Sequence, residues 1–221
     1  MKTNFENLDK VISKLNNSSL TIIAGRPSMG KSTLAFNIAT NVVKKEKIPI
    51  AIFSLEMSKK YICNNFIDSS LGDTKIIIEE TPGISIENIR KKCIRLKQEE
   101  NIGLVVIDYL QLISTEEKAD RKQEISTISQ ILKHLVEELN ISIIVTSQLS
   151  REPDIRFKAG QNPRPTLNDF GYSSDIVEYA DVILLLYREN YYYPNSEKED
   201  ILEVNIAKSV YGKSKILEIK F

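Results

Sequence analysis

The residues with the clearest chemistry lie at positions 25–33, where the sequence matches G-x-x-x-x-G-K-[ST] at every fixed position. Such a segment turns a strand into the N-terminus of a helix, so that backbone N–H groups and the positive end of the helix dipole point at one place. The lysine of the pattern reaches the β- and γ-phosphates of a nucleotide, and the next hydroxyl is a ligand of Mg²⁺. The predicted nucleotide-binding residues are Gly25, Arg26, Pro27, Ser28, Met29, Gly30, Lys31, Ser32 and Thr33.

The flanking sequence supplies the two elements that this loop needs. Residues 20–24 form a short apolar run rich in β-branched side chains, and residues 33–45 repeat apolar side chains at helical spacing. The same pattern also occurs as a glycine-rich turn that binds nothing, but a strand before it and a helix after it favour a site. We therefore expect a nucleoside triphosphate to bind here, with Lys31 on the phosphates and Ser32 on Mg²⁺.

Three further polar residues come at the ends of predicted strands, where ligands bind in an open α/β sheet. Asp108 is a candidate for the second carboxylate that holds Mg²⁺. Glu56 is placed to orient or deprotonate an attacking water, and the Gln148 amide is placed to sense the γ-phosphate. Asp108 has the alternative of merely ending a strand, and Glu56 and Gln148 that of packing a loop.

Strand-like and helix-like runs alternate along the chain, which predicts an α/β fold with a mostly parallel sheet covered by helices. The predicted strands are 20–24, 50–54, 76–78, 104–108, 141–147, 182–187, 201–207 and 216–221. The predicted helices are 7–15, 32–45, 58–71, 85–98 and 123–139, and long polar loops are expected at 114–122 and 150–168. The last two strands follow without helices, so we expect an antiparallel C-terminal edge.

Composition bounds the class of protein. The 221 residues suit one α/β domain, and 30 Lys+Arg balance 30 Asp+Glu, which argues against a generally basic nucleic-acid binder but leaves room for a local basic channel. Cys63 and Cys93 stand apart from each other and from any histidine cluster, so we expect reduced thiols in a cytoplasmic protein. The sequence has no apolar run of bilayer length and no secretory signal over residues 1–9, so no membrane partner is expected.

Several short motifs follow one another in a characteristic order. They are RPSMGKS at 26–32, FSLEM at 53–57, VIDYLQL at 106–112 and SQLSR at 147–151. In this order they resemble the successive motifs of the motor domain of DnaB-type replicative helicases. Segments 181–188 and 206–208 continue the match, and the resemblance covers about residues 5–221.

The resemblance implies a RecA-like fold, an ATP-driven ring hexamer and translocation on single-stranded DNA during replication. By this similarity Lys31 and Ser32 bind phosphate and Mg²⁺, and Asp108 is the Walker B acid. Glu56 would activate water and Gln148 would sense the γ-phosphate, so Lys31, Glu56 and Gln148 form the expected catalytic set. A replicative helicase, a helicase loader or a primase would be partner proteins.

The sequence departs from that family in four places, of which the first two concern length. It begins directly at the motor, so residues 1–221 are expected to form a single RecA-like ATPase domain without the usual helical N-terminal domain. A segment that family members usually carry between positions 71 and 76 is also missing. Its absence leaves the nucleotide motifs untouched.

The third departure concerns the contact with the neighbouring subunit's ATP. Val210 stands where family members usually have an arginine that reaches this ATP. Losing such an arginine costs about 10³-fold or more in rate. Lys208 remains as the candidate contact across the interface, and Lys213 or Lys215 could substitute in part without the bidentate geometry of a guanidinium.

The fourth departure concerns DNA. Gly171 stands where the family's DNA-contacting loop usually has a phosphate-binding arginine. The preceding loop carries cations interleaved with acids, which would either track a phosphate backbone or form a solvated polar surface. The candidate DNA contacts are Arg151, Arg156, Lys158 and Arg164.

Three functional hypotheses remain at this point. The first is an ATP-dependent DNA helicase or translocase motor, favoured by Glu56, Asp108 and Gln148. The second is a degenerate accessory or regulatory protein that binds ATP but lacks an efficient motor, favoured by Val210 and Gly171. A RecA-like recombination or clock-type ATPase would explain the phosphate-binding loop but not the motifs that follow it.

Overall fold

One sheet runs through the part of the chain that the structure describes, which is Leu8 and residues 18–67, 74–116, 119–210 and 214–220 of a computed structural model. Its strands are β1 (Leu20–Gly25), β2 (Ile50–Ser54), β3 (Ile76–Glu80), β4 (Leu104–Asp108), β5 (Ser142–Gln148), β6 (Val182–Tyr187), β7 (Ile201–Ser209) and β8 (Lys215–Lys220). They lie in the order β3-β2-β4-β5-β1-β6-β7-β8. All pairs from β3 to β6 are parallel, whereas β7 and β8 are antiparallel. The predicted α/β fold and its antiparallel C-terminal edge are confirmed.

Helices connect the parallel strands. They are α1 (Lys31–Glu46), α2 (Lys59–Phe66), α3 (Ile86–Glu100), α4 (Arg121–Leu139), α5 (Glu152–Lys158), α6 (Ile176–Tyr179) and α7 (Glu189–Tyr192), with 3-10 helices at Leu110–Leu112 and Leu167–Ser173. The helix predicted over 58–71 ends earlier, at Phe66, because Ile67 has an extended backbone. Of the helix predicted over 7–15, only Leu8 is among the described residues, and it is helical and buried.

The sheet is buried on both faces, as unbroken apolar strands predict. Along β4, Val105 and Ile107 enter one apolar cluster while Leu104 and Val106 enter the other, because successive side chains of a strand point to opposite faces. α3 and α4 cover the first face, and α1 and α2 cover the second. The carboxyl ends of the central strands remain open at one edge of the sheet.

The segment predicted as a long loop over 150–168 contains the helix α5, so that prediction was wrong in part. The helix is only two turns long and has no apolar stripe, which hid it from periodicity. Its sequence does carry end signals: Pro153 lies in its first turn with Glu152 and Asp154, and Arg156 and Lys158 lie in its last turn.

No helix of the described segments is both long and apolar enough to cross a bilayer. The longest of them, α4, has 19 residues and carries polar side chains along its exposed face.

Candidate nucleotide-binding site

The loop between β1 and α1 depends on two glycines. A side-chain carbon at Gly25 would lie 3.2 Å from the Leu186 carbonyl oxygen, so the loop approaches β6 this closely only without one. Gly30, directly before α1, has φ 84° and ψ 20°, a left-handed conformation that glycine adopts without steric penalty. This turn brings the N-terminus of α1 to a cleft, where its unpaired amides and dipole favour an anion.

The cleft has a volume of about 380 Å³. It brings together most of the residues predicted to bind nucleotide and all of those predicted to act in catalysis. The lining residues are Pro27, Ser28, Gly30, Lys31, Ser32, Thr33, Glu56, Asp108, Tyr109 and Gln148.

The register of the sheet explains why residues so far apart in sequence meet. Gly25 at the end of β1 pairs with Gln148 at the end of β5, and Ser54 at the end of β2 pairs with Asp108 at the end of β4. Since all four strands are parallel, their carboxyl ends lie at the same edge. Strand pairing thus brings the segments that carry Glu56, Asp108 and Gln148 next to the phosphate-binding loop.

Lys31 has an altered basicity in the cleft. Its Nζ donates a hydrogen bond of 3.0 Å to the Arg26 carbonyl oxygen. Burial lowers the pKa of Lys31 from 10.5 to about 8, and the Asp108 carboxylate opposes part of that change. A bound phosphate would favour the charged form of the lysine, so Lys31 is suited to hold phosphate as a cation.

Asp108 and Ser32 form a pair of oxygen ligands that fits Mg²⁺. Asp108 is only 1% exposed, and its Oδ1 accepts hydrogen bonds from Ser32 Oγ, at 3.0 Å, and from Thr146 Oγ1. Its Oδ2 is buried and receives no hydrogen bond from any described residue. A buried carboxylate oxygen without a donor is costly, and hard oxygens of this kind are the ligands that Mg²⁺ prefers.

Glu56 presents its carboxylate to the cleft on a backbone that is fixed on both sides. The Leu55 amide donates to the Asp108 carbonyl oxygen at 2.9 Å, and Ser54 Oγ donates to the Met57 carbonyl oxygen at 2.6 Å. The side chain itself is exposed. A carboxylate held in this way can accept a proton from a water molecule next to a phosphate.

Three of the residues predicted to bind nucleotide do not line the cleft. The Met29 side chain is buried in the core, and Gly25 supports the loop from beneath. The Arg26 guanidinium turns away: its Nε and Nη2 donate to Asp154 Oδ2 at 2.9 and 2.7 Å, and its Nη1 donates to the Leu149 carbonyl oxygen at 2.9 Å. Arg26 thus ties the loop to α5, and only its backbone carbonyl reaches Lys31.

Two of the four cations predicted to contact DNA are engaged within the domain. Arg156 donates from both terminal nitrogens to Asp169, each at 2.8 Å. Arg164 donates to Glu203 at 2.8 Å, with two bonds, and also to Glu189. The remaining predicted contacts, Arg151 and Lys158, are exposed.

The structure also shows the surroundings of the residues at which the sequence departs from the family. Val210 is 58% exposed at the end of β7. Lys208 Nζ donates to the carbonyl oxygens of Val177 and Glu178, at 2.7 and 3.0 Å. Gly171 has φ 58° and ψ −124°, a conformation that an arginine would adopt only with strain.

Sequence reasoning missed three residues of the site: Tyr109, Gln111 and Thr146. Tyr109 lines the cleft, and Gln111 exchanges hydrogen bonds with the backbone of Gln148. Thr146 lies two positions before Gln148 in β5, and side chains at that spacing share a face of the strand. This spacing, together with the VIDYLQL motif, was the available signal.

The family comparison agrees with this geometry. The family model described as DnaB-like helicase C terminal domain matches residues 1–72 and 65–221. The replicative DNA helicase DnaB of Geobacillus stearothermophilus is 39% identical over 248 residues, which cover 99% of this chain and 54% of that protein. The chain thus spans about half of the length of the curated relatives it matches.

Two solved structures share the fold over almost the whole chain. One, described as an ATPase domain, has a TM-score of 0.87 and 31% identity, covering 99% of this chain and 87% of that one. A DnaB-like replicative helicase, whose structure was described with its interactions with primase, has a TM-score of 0.86 and 30% identity, covering 99% and 59%. The RecA-like fold and the resemblance stated from the motifs are confirmed. The chain belongs to the family of DnaB-like helicase C-terminal domains.

Proposed function

We propose that this chain is an ATP-hydrolysing motor domain of the DnaB type that acts on single-stranded DNA in replication. Residues 1–221 would act as one RecA-like ATPase domain. The observation that carries the proposal is the meeting of Lys31, Ser32, Asp108, Glu56 and Gln148 around one cleft. A phosphate cradle alone would bind nucleotide, but the added carboxylate and amide supply what hydrolysis needs.

Each residue has a chemical role in this proposal. Lys31 and the amides at the start of α1 hold the phosphates, while the Ser32 hydroxyl and Asp108 hold the metal. Mg²⁺ bound there supplies positive charge against the phosphate oxygens. Glu56 accepts a proton from the attacking water, and Gln148 donates a hydrogen bond to the γ-phosphate that is lost after hydrolysis.

The proposal extends to an assembly. The relatives are replicative helicases, and one related structure was described with its interactions with primase. We propose a cytoplasmic ring, hexameric by analogy, with a helicase loader or a primase as a partner. Single-stranded DNA would meet the exposed cations Arg151 and Lys158. Lys208 would reach a neighbour's ATP only after releasing its two carbonyl partners.

A second candidate function is an accessory protein that binds ATP without efficient turnover, partnered with a replicative helicase. The exposed apolar side chain of Val210, in place of an arginine, favours it, as does Gly171 in the loop that usually contacts DNA. In this case the cleft would still bind Mg-ATP, because the residues on the phosphates and on the metal are all retained.

An assay of ATP hydrolysis with and without oligo-dT, at an oligomeric state measured by light scattering, tests the proposal. We expect turnover that rises with oligo-dT, and no turnover for Lys31→Ala, which removes the phosphate cation. Binding of a labelled ATP analogue without turnover would support the accessory function instead. Absence of any binding by the unmodified chain would overturn both candidates.

A further inference from the structure

We infer that Gln111 is a positioning residue: its side-chain amide fixes the backbone of Gln148 and links it to the segment Leu167–Ser173. The inference rests on the proposed function, in which Gln148 senses the γ-phosphate. Leu167–Ser173 includes Gly171, at the place of the family's DNA-contacting loop. Gln111 therefore lies between the nucleotide cleft and the segment proposed to face DNA.

Gln148, the last residue of β5, lies beyond the ladder that joins β5 to β4. The ladder between β4 and β5 runs only as far as Ile107 and Val145, so Gln148 has no strand partner on the β4 side. Gln111 takes that place. Its Oε1 accepts a hydrogen bond of 3.1 Å from the backbone N–H of Gln148, and its Nε2 donates one of 3.1 Å to the backbone carbonyl oxygen of Gln148. This pair of hydrogen bonds reproduces the pairing of a neighbouring strand.

Gln111 Nε2 has more acceptors within reach than it has hydrogens to donate. It has two hydrogens but three acceptors within reach: the Gln148 carbonyl, Ser147 Oγ at 3.0 Å and Ser173 Oγ at 3.5 Å. Ser173 is the most distant and is only 1% exposed. Since two hydrogens cannot bond fully to three acceptors, one acceptor always has a weak hydrogen bond. A small movement of Gln148 therefore changes which two acceptors are bonded to Nε2.

Hydrogen bonds fix the backbone of Gln111 on one side and the segment Leu167–Ser173 on the other. Arg121 Nη2 donates to the Gln111 carbonyl oxygen at 2.9 Å, which fixes the backbone of Gln111. On the other side, the Ser150 amide donates to the Asp169 carbonyl oxygen at 2.8 Å. Asp169 is in turn held by Arg156. Between these two fixed segments, the side-chain amide of Gln111 can change which acceptors it bonds.

Together these contacts allow Gln111 to couple Gln148 to the segment Leu167–Ser173. When Gln148 turns toward a γ-phosphate, its peptide groups shift against the Gln111 amide, and the hydrogen bond to Ser173 strengthens or weakens. In the reverse direction, DNA bound against Leu167–Ser173 alters the position of Gln148. The amide thus couples the nucleotide state to the DNA-facing segment without touching either ligand.

The test measures kcat and KM for ATP without DNA, and then the fold stimulation by oligo-dT. For Ser173→Ala we expect a several-fold loss of stimulation with unchanged affinity for oligo-dT, because its hydroxyl is buried and accepts from Gln111. For Gln111→Met, which keeps the length of the side chain and removes both hydrogen bonds to Gln148, we expect kcat to fall about tenfold with a smaller change in KM, and stimulation to be lost. Gln111→Glu, which keeps only the acceptor, should be intermediate.

Ser174→Ala is the matched control, because this neighbouring serine is exposed and bonds only locally to Asp175. It should behave as the unmodified chain does. If Gln111→Met does not fold, as judged by thermal melting, Ser173→Ala still decides. Stimulation of Ser173→Ala and Gln111→Met equal to that of the unmodified chain would overturn the inference and leave the proposed function intact. If the unmodified chain hydrolyses no ATP, or if oligo-dT does not change its turnover, the proposed function is overturned and this inference with it.

Discussion

At the scale of single residues, two groups in the cleft are buried in a way that suits a ligand. Asp108 Oδ2 has no hydrogen-bond donor among the described residues. Lys31 has lost much of its solvation, which lowers its pKa to about 8. A metal ion on the first and a phosphate on the second would satisfy both at once, which supports the proposed binding of ATP together with Mg²⁺.

Nucleotide affinity should fall as the pH rises through about 8, the pKa of Lys31 in the free cleft. Phosphate favours protonated lysine, so the pKa of Lys31 is higher in the complex, and binding takes up a proton between the two values. The contribution of Lys31 to nucleotide affinity is therefore constant below its pKa in the free cleft. Between that pKa and the higher pKa in the complex, the affinity falls by up to about tenfold per pH unit.

Titration with a fluorescent ATP analogue across this range measures the effect. Lys31→Arg is the matched variant, because an arginine remains charged throughout and its binding should not vary with pH in this way. A profile for the unmodified chain as flat as that of Lys31→Arg would contradict the assignment.

At the scale of elements, ion pairs fasten the segment between β5 and β6 to the rest of the domain. Arg164 is the centre of one group: it pairs with Glu203 on β7 and Glu189 on α7, and its guanidinium lies 4.6 Å from the centroid of the Tyr187 ring. Glu203 is 5% exposed. The contacts indicate a structural role for a cation that the sequence suggested for DNA.

Arg164→Met should therefore reduce the free energy of unfolding by about 1–3 kcal/mol, because it leaves the Glu203 carboxylate buried with fewer donors. Lys198, 3.5 Å from Glu203, limits the loss. Urea denaturation gives the measurement, and Arg151→Met is the control: this exposed residue should change stability by no more than about 0.5 kcal/mol. Unchanged stability of Arg164→Met together with lost DNA binding would contradict the structural role.

The sequence predicted the elements better than it predicted their cross-contacts. Apolar periodicity located the strands, the three long helices α1, α3 and α4, and the start of α2, because burial decides both pattern and position. It missed α5, whose seven residues hold no apolar stripe. In the site, motif spacing located Lys31, Asp108 and Gln148, but not the Arg26–Asp154 pair or the bond between Gln111 and Gln148, because those depend on which segments meet in space.

At the scale of the whole molecule, neither Lys208 nor Val210, both among the described residues, offers a free cation to a neighbouring subunit. The Lys208 ammonium is held by two carbonyl oxygens of the same domain, and burial lowers its pKa. Val210, at the end of the same strand, offers an exposed apolar side chain. A subunit assembled against another would thus bring no guanidinium from this position to the neighbouring ATP.

Val210→Arg should raise kcat by at least about tenfold in the assembled protein, because an arginine supplied across an interface stabilises the transferring phosphoryl group. The gain should vanish when dilution leaves single subunits, and specific activity against concentration measures this. Ile216→Arg, at another exposed apolar position on the neighbouring strand β8, is the control for added charge. A gain that persists in single subunits, or an equal gain for Ile216→Arg, would contradict this role.

The order of the strands also dictates when the cleft can exist during synthesis. β1 ends at residue 25 in the phosphate-binding loop, yet its two neighbours in the sheet, β5 and β6, begin at residues 142 and 182. During synthesis β1 therefore stays without its neighbours in the sheet until the segment up to residue 187 has been made. Under the proposed function, ATP can stabilise the domain only after this pairing has formed.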